Sequence, residues 1–379
     1  HGLRDKLQDA PSLPLRCGAL TVPHPTSSDP KYHGGARKGG GRAPGKIAWR
    51  SLNWIKQRRA FMDLILVNLI DGLVTGLLLF MLSAGLTLIF SMMGVLNFAH
   101  ASFYMLGAYF AYQISLALGF WMGLLIAPLI VGVMGAGVER YGLRRVHHYG
   151  HVPELIFTFG LALLIEELVQ FIWGKNQMPY AAPEILQFTA FSIAGNSIPA
   201  YKIFMIFISV AIFIGLLWVL TRTRVGMIIQ AALTYPKTVE ALGHNVPLIF
   251  MGVFGVGTAL AGVAGVIAGP VLGTFPGMAF VLGSIVFVTI VIGGLGSLWG
   301  ALVASLLIGW ITTFSKAYNL RMEDLLITLG FTKPENIWDS PWRDLWSITS
   351  PQIADILPYI LMVLILIFRP YGLFGKRDA

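Results

Sequence analysis

This chain has almost no cysteine and little charge. One cysteine, Cys17, occurs in 379 residues. No intrachain disulfide is therefore possible, and thiol chemistry has no part in the fold. Charged residues make up 12% of the chain, about half the ~25% of a soluble domain, so the soluble globular class is excluded. The formal net charge of +9 would suggest a polyanionic partner, but its location argues otherwise. Residues 1–61 hold twelve Lys/Arg and three Asp, whereas residues 62–379 hold fifteen residues of each sign. No basic face with interleaved aromatics is present in the apolar part, so nucleic acid is not an expected partner.

Residues 1–61 also lack apolar periodicity and are rich in Pro, Gly and Arg. They read as a disordered basic tail, with Met62 as the natural start. No apolar stretch of about 7–15 residues precedes Met62, so a signal peptide is not expected. Gly40 to Lys46 imitates a phosphate-binding loop, but Ile47 stands where that motif needs Ser or Thr and no strand precedes it.

What the chain has is apolar length. It is 56% hydrophobic, with mean hydropathy +0.72. A helix that crosses a membrane needs about 20 apolar residues. The sequence offers eight candidate spans, 64–90, 120–140, 154–173, 202–221, 247–269, 279–295, 297–315 and 355–369. A ninth apolar segment, 92–118, is interrupted by Asn97 and His100. The expected fold is therefore an all-α integral membrane protein with about eight transmembrane helices plus one broken or re-entrant segment.

Basic residues favour the cytoplasmic side. They cluster at Arg50 to Arg59, Arg140 to Arg145, Arg222 to Lys237 and Arg369 to Arg377. Placing all four clusters in the cytoplasm requires 92–118 to make no net crossing, either by entering and returning or by pairing with a split of the long first segment. Both termini are then cytoplasmic, and loops 174–201 and 316–354 face the other side. The second loop holds Trp338, Trp342 and Trp346 among acidic residues, and reads as an interfacial segment or an external docking surface.

Polar groups at membrane depth are costly unless they line a cavity or find partners in protein. Asn97, His100 and Tyr104 recur at helical spacing in the broken segment and are candidates for a solute pathway. Glu166 and Glu167 are adjacent, about 100° apart on a helix. Glu166 is carried forward as a pathway candidate. Asn68 and Asp71 share a helix face and read as partners for a neighbouring helix. His147, His148 and His151 lie in a separate basic loop, which argues against a metal site with His100. Ser83, Ser91 and Ser102 are the only nucleophiles that could serve His100, too little for an intramembrane enzyme.

Gly257, Ala261, Gly265 and Gly269 recur every fourth residue and predict close helix packing. Gly293, Gly294, Gly296 and Gly300 predict a tight turn between spans. In the stretch Thr221 to Asn245, Pro236 and Gly243 bracket a short helix, which reads either as a docking element for a soluble motor or as a solvated loop. Two transport readings follow. One is a subunit that borrows its motor from other chains. The other is an ion-coupled secondary transporter that uses Glu166, Glu167 and Asp71.

Residues 64–315 resemble the membrane permease subunits of branched-chain amino acid ATP-binding-cassette importers. The likeness rests on Gly85 to Phe90, on Asn97-Phe98-Ala99-His100 followed by Tyr104 to Tyr109, and on Thr223-Arg224-Val225-Gly226 leading to Ala241-Leu242-Gly243. Gly293 to Ala301 and Arg369 to Gly375 also match. Ala101 stands where the family commonly has Gly. The resemblance implies a permease of the bacterial inner membrane that performs no chemistry and carries no cofactor. It pairs with a second homologous permease, two cytoplasmic ATPase subunits that hold ATP and Mg, and a periplasmic substrate-binding protein. It also implies that Thr223, Arg224, Gly226, Pro236, Glu240 and Gly243 belong to a coupling element on an ATPase. Branched-chain amino acids, amides, urea and aromatic acids are substrates of such permeases.

Overall fold

The computed structural model describes residues 46–94, 96–193, 195–318, 320–330 and 346–375. The chain divides into two compact units, His1–Asn53 and Trp54–Ala379. Of the first, the described part is the opening of one helix. Most of the expected tail, the phosphate-loop imitation, Trp338 and Trp342 lie outside the described residues.

In chain order the elements are α1 (Lys46–Met93), α2 (His100–Leu118), α3 (Phe120–Val138), α4 (His151–Trp173), the hairpin β1 (Thr189–Ile193) and β2 (Asn196–Pro199), and α5 (Ala200–Arg222). There follow α6 (Arg224–Thr234), α7 (Pro236–Ala241), α8 (Val246–Leu272), α9 (Met278–Gly293), α10 (Leu298–Ala317), α11 (Met322–Thr328), α12 (Ser350–Ile353) and α13 (Leu357–Phe368). Six stretches are long and apolar enough to cross a membrane, Met62–Ser91, Phe120–Tyr149, His151–Trp173, Ala200–Arg222, Val246–Leu272 and Leu298–Ala317. Shorter apolar helices α9 and α13 supply the other two expected spans. The protein is an all-helical membrane protein. Helix α1 begins at Lys46, within the basic tail.

The core is built where backbones come closest. Helix α2 is buried along most of its length, between α3 and α8. Gly265 of α8 lies against the backbone of Tyr104 and Ala108, and Gly107 of α2 against Gly262. Gly257 meets Gly85 and Ile89 of α1, and Gly135 of α3 meets Thr258. A methyl group at any of these positions would enter a neighbouring helix. In lipid, where hydrophobic collapse does not drive helices together, such close approach is the main source of association. Gly257, Ala261, Gly265 and Gly269 are all buried.

Helix directions follow from the pairs that touch. Lys202 and Asp71 form an ion pair at 2.6 Å, Ser209 Oγ lies 2.8 Å from Met81 Sδ, and the rings of Phe80 and Phe213 are 5.3 Å apart. Helices α1 and α5 are therefore parallel. Gly72 packs on Gly309 and Gly76 on Ser305 and Leu306, so α1 and α10 are antiparallel. One end of the bundle, here the near end, gathers the end of α1, the loop 139–150, the stretch 223–245, the α9–α10 turn and residues 369–375. Ser91 Oγ donates to Gly296 O at 3.3 Å there, and Arg144 Nη2 to Pro247 O at 2.7 Å. The far end holds the Gly119 turn, residues 174–199 with the hairpin, and the α8–α9 connection. Met178 and Thr274 form a bridge in that region.

These directions correct two expectations. The chain is broken at Gly94 to Ala99, as Asn97 and His100 led one to expect. Beyond the break, though, α2 is continuous rather than entering and returning. It forms a tight hairpin with α3 at Gly119, whose φ of 83° suits glycine. Met62 then lies at the far end of the bundle and Gly375 at the near end, whereas the charge clusters put the two together.

Candidate functional site

The break between α1 and α2 exists because local hydrogen bonds replace helical ones. Gly94, with φ of 66°, ends α1, and its N–H donates to Phe90 O at 2.9 Å. Asn97 Oδ1 accepts from Ala99 N at 3.1 Å, a local turn that starts α2. His100 then reaches back to α1, and its Nε2 donates to Leu82 O at 3.0 Å. A carbonyl can only accept, so in the neutral ring Nδ1 keeps its lone pair. Asn97 is 5% and His100 1% exposed. Among the described residues, Asn97 Nδ2 and His100 Nδ1 have no partner. Both residues line the cavity beside the break.

The space beside them is a cavity of about 400 Å³. Leu86 and the break with the start of α2 form one wall. Phe159 and Ala162 of α4 form another, residues 279–288 of α9 a third, and Tyr359 and Met362 of α13 a fourth. Its surface is mostly apolar. The polar exceptions are Asn97, His100, Ser102 and a pair on the opposite wall, where Tyr359 OH donates to Ser284 Oγ at 2.8 Å. No Asp, Glu, Lys or Arg lines it. Its size and its few convergent polar groups suit a small, partly apolar solute without net charge.

The other pathway candidates lie elsewhere. Tyr104 is buried in α2 against Gly265, outside the cavity lining. The buried face of α4 is Glu154, Thr158, Ala162, Ile165 and Val169. Glu166 is half-buried, Glu167 is exposed, and neither lines the cavity. Asp71 is committed to Lys202, and Asn68 is buried one turn before it. No group of His, Cys, Asp and Glu among the described residues could hold a metal ion. The sequence reading missed the cavity's α9 and α13 walls, which are continuous apolar runs without a local signal. Of these, Ser284 and Tyr359 could have been found only as isolated polar positions in apolar helices.

The stretch 223–245 is the most solvent-accessible internal segment of the near end. Thr223 caps α6 by accepting from Gly226 N at 3.1 Å, and Gly226 packs tightly on the last turn of α5. Pro236 opens α7, and Gly243 with φ of 89° follows its end. Arg224 and Glu240 are exposed. So are Val225, Met227, Tyr235 and Leu242, the last at 74%. Among the residues of this stretch whose burial is described, Gly226, Ala232 and Val239 are buried and Ile228 and Ile229 half-buried, so a part of its apolar surface faces outward, the pattern of a surface that takes a partner.

Comparison with known proteins agrees with this geometry. The family described as "Branched-chain amino acid transport system / permease component" matches residues 68–366. The high-affinity branched-chain amino acid transport system permease protein BraD of Pseudomonas aeruginosa is 26% identical, over 83% of this chain and 97% of its own length. The corresponding protein LivH of Escherichia coli K12 is 25% identical over 83% and 96%. A probable LivH of Methanocaldococcus jannaschii is 25% identical over 61% and 75%. No solved structure matches. The ion-coupled alternative finds no support, because its carboxylates avoid the cavity and the matching family is a permease component. With 299 of its residues covered by that family's pattern, the chain belongs to the branched-chain amino acid transport system permease family.

Proposed function

We infer that this chain is the translocation subunit of an ATP-driven importer for branched-chain amino acids or closely related small solutes. The observation that carries this reading is the mostly apolar cavity of about 400 Å³ with Asn97 and His100 in its lining. An aliphatic side chain fits the apolar walls, and the two polar groups suit the solute's polar end. The near end is read as cytoplasmic, since Arg140, Arg144, Arg145, Arg222, Arg224, Lys237 and Arg369 all gather there. Thr223, Arg224, Gly226, Pro236, Glu240 and Gly243 then belong to the surface offered to an ATPase. A second homologous permease, two ATPases that hold ATP and Mg, and an external binding protein complete the assembly in the inner membrane. The permease itself needs no cofactor.

The test is uptake of L-leucine into vesicles that hold the complex. N97A and H100A should each lower ATP-driven uptake about tenfold, the effect of one buried hydrogen bond, while E166Q and E167Q leave it unchanged. Uptake that ignores the ATPases, or that stops when ion gradients are collapsed, would overturn the reading.

A further inference from the structure

A second cavity, of about 190 Å³, lies at the near end. Glu139, Arg144 and His147 line one side and Glu240, Pro247 and Phe250 the other. Several separate connections converge on it. Helices α6 and α7 share a small apolar core with the first turns of α8, in which Ala232 and Val239 pack with Val246 and Phe250. The stretch 223–245 is thus fastened to the start of α8. In that same turn, Pro247 O accepts from Arg144 Nη2 at 2.7 Å. Arg144 also grips Glu139 with two hydrogen bonds, Nη2 to Oε2 at 2.6 Å and Nε to Oε1 at 3.1 Å. Glu139 is 4% exposed and sits in the π-turn that ends α3. The chain then continues to His147, which hydrogen-bonds the fully buried Glu154 in the first turn of α4. Helix α4 in turn carries Phe159 and Ala162 into the wall of the large cavity.

Arginine is the side chain suited to this place. A planar fork holds a carboxylate bidentately and still has a donor for a carbonyl, and a lysine ammonium cannot reproduce that geometry. The fork is one part that binds α3 to α8 where the exposed stretch is attached. We propose that Arg144 and Glu139 are positioning residues that transmit movement of the 223–245 stretch to α3 and, through the His147–Glu154 contact, to α4. This rests on the reading above that an ATPase sits on 223–245.

The experiment uses the full complex in vesicles, with leucine accumulated and ATP hydrolysed measured in the same sample and bound ATPase quantified. R144A should lower leucine accumulated per ATP about tenfold, within the usual range of coupling between sites, with ATPase still bound. R144K should not restore it. E139A should match R144A, and R144A/E139A should be no worse than either, because the pair acts as a unit. If R144A does not assemble, R144Q, which keeps a donor for Pro247 O, takes its place. Unchanged leucine per ATP in an assembled variant overturns the proposal. Equal loss of uptake and hydrolysis also overturns it, since that marks a structural role alone. A wild-type chain that binds no ATPase overturns the underlying reading instead, and the proposal with it.

Discussion

At the scale of single residues, the decisive variable is how near a neighbouring backbone lies. Gly265 and Gly160 are both helical glycines at ordinary φ, yet a methyl group on the first would strike Tyr104 O, while the second has open space around it. G265A should lose about 1–3 kcal/mol from overpacking. G160A should be neutral or up to about 1 kcal/mol more stable, from helix propensity. Thermal unfolding in one detergent compares them directly. The ion pair of Lys202 and Asp71 is half-exposed on both sides, so D71A should cost only roughly 0.5–1.5 kcal/mol, the usual scale of polar contacts between membrane helices. Adding K202M should recover most of that loss. The residue-level sequence reading was strong where chemistry is local. Asn97 and His100 stood out because polar groups amid apolar residues need a reason, and Asp71 was correctly read as a partner for another helix. It was weak for Glu166, because a carboxylate in an apolar helix looks alike whether it turns inward or outward.

At the scale of elements, the break before α2 carries the most consequence. A single local turn made by Asn97 lets the chain leave α1 and re-enter as a buried helix. N97S keeps an uncharged oxygen that can accept from Ala99 N, as Ser does in such turns, and removes the amide donor. It should therefore fold with stability within about 1 kcal/mol of wild type, the scale of a cap, but transport leucine poorly. N97A should lose both. Measuring stability and uptake on the same preparations separates the two duties of this side chain. The short helix α7 was legible from Pro236 and Gly243, since helix-start and helix-stop residues act locally. The hairpin at 189–199 was not, because its short strands alternate weakly and only Gly195, with φ of 84°, marks the turn.

For the whole molecule, the helix directions make a prediction about sides. With Cys17 replaced by serine, L242C should react with an impermeant thiol reagent only from the cytoplasm and E184C only from outside. Labelling of both from one side would refute the assigned directions. Spans were readable in the sequence because twenty-residue apolar runs have one physical meaning. The end of the bundle from which the first span starts was not, because that depends on which helices it packs against. Which helices touch was also hidden, apart from the glycine ladder, since lipid-facing and protein-facing apolar residues look the same.

Residues Arg369 to Gly375 close back on α9. Leu373 N donates to Ile292 O at 2.8 Å and Phe374 N to Gly293 O at 3.0 Å, so they satisfy carbonyls at the end of α9 that a helix terminus otherwise leaves orphaned. Gly294 and Gly372 pack backbone against backbone to allow this. During biosynthesis α9 leaves the ribosome about 75 residues before this stretch does, so its terminal carbonyls stay unbonded until Arg369 to Gly375 have been made. A variant truncated after Phe368 should insert its helices but be cleared by membrane proteases, whereas one that keeps residues 369–375 should persist.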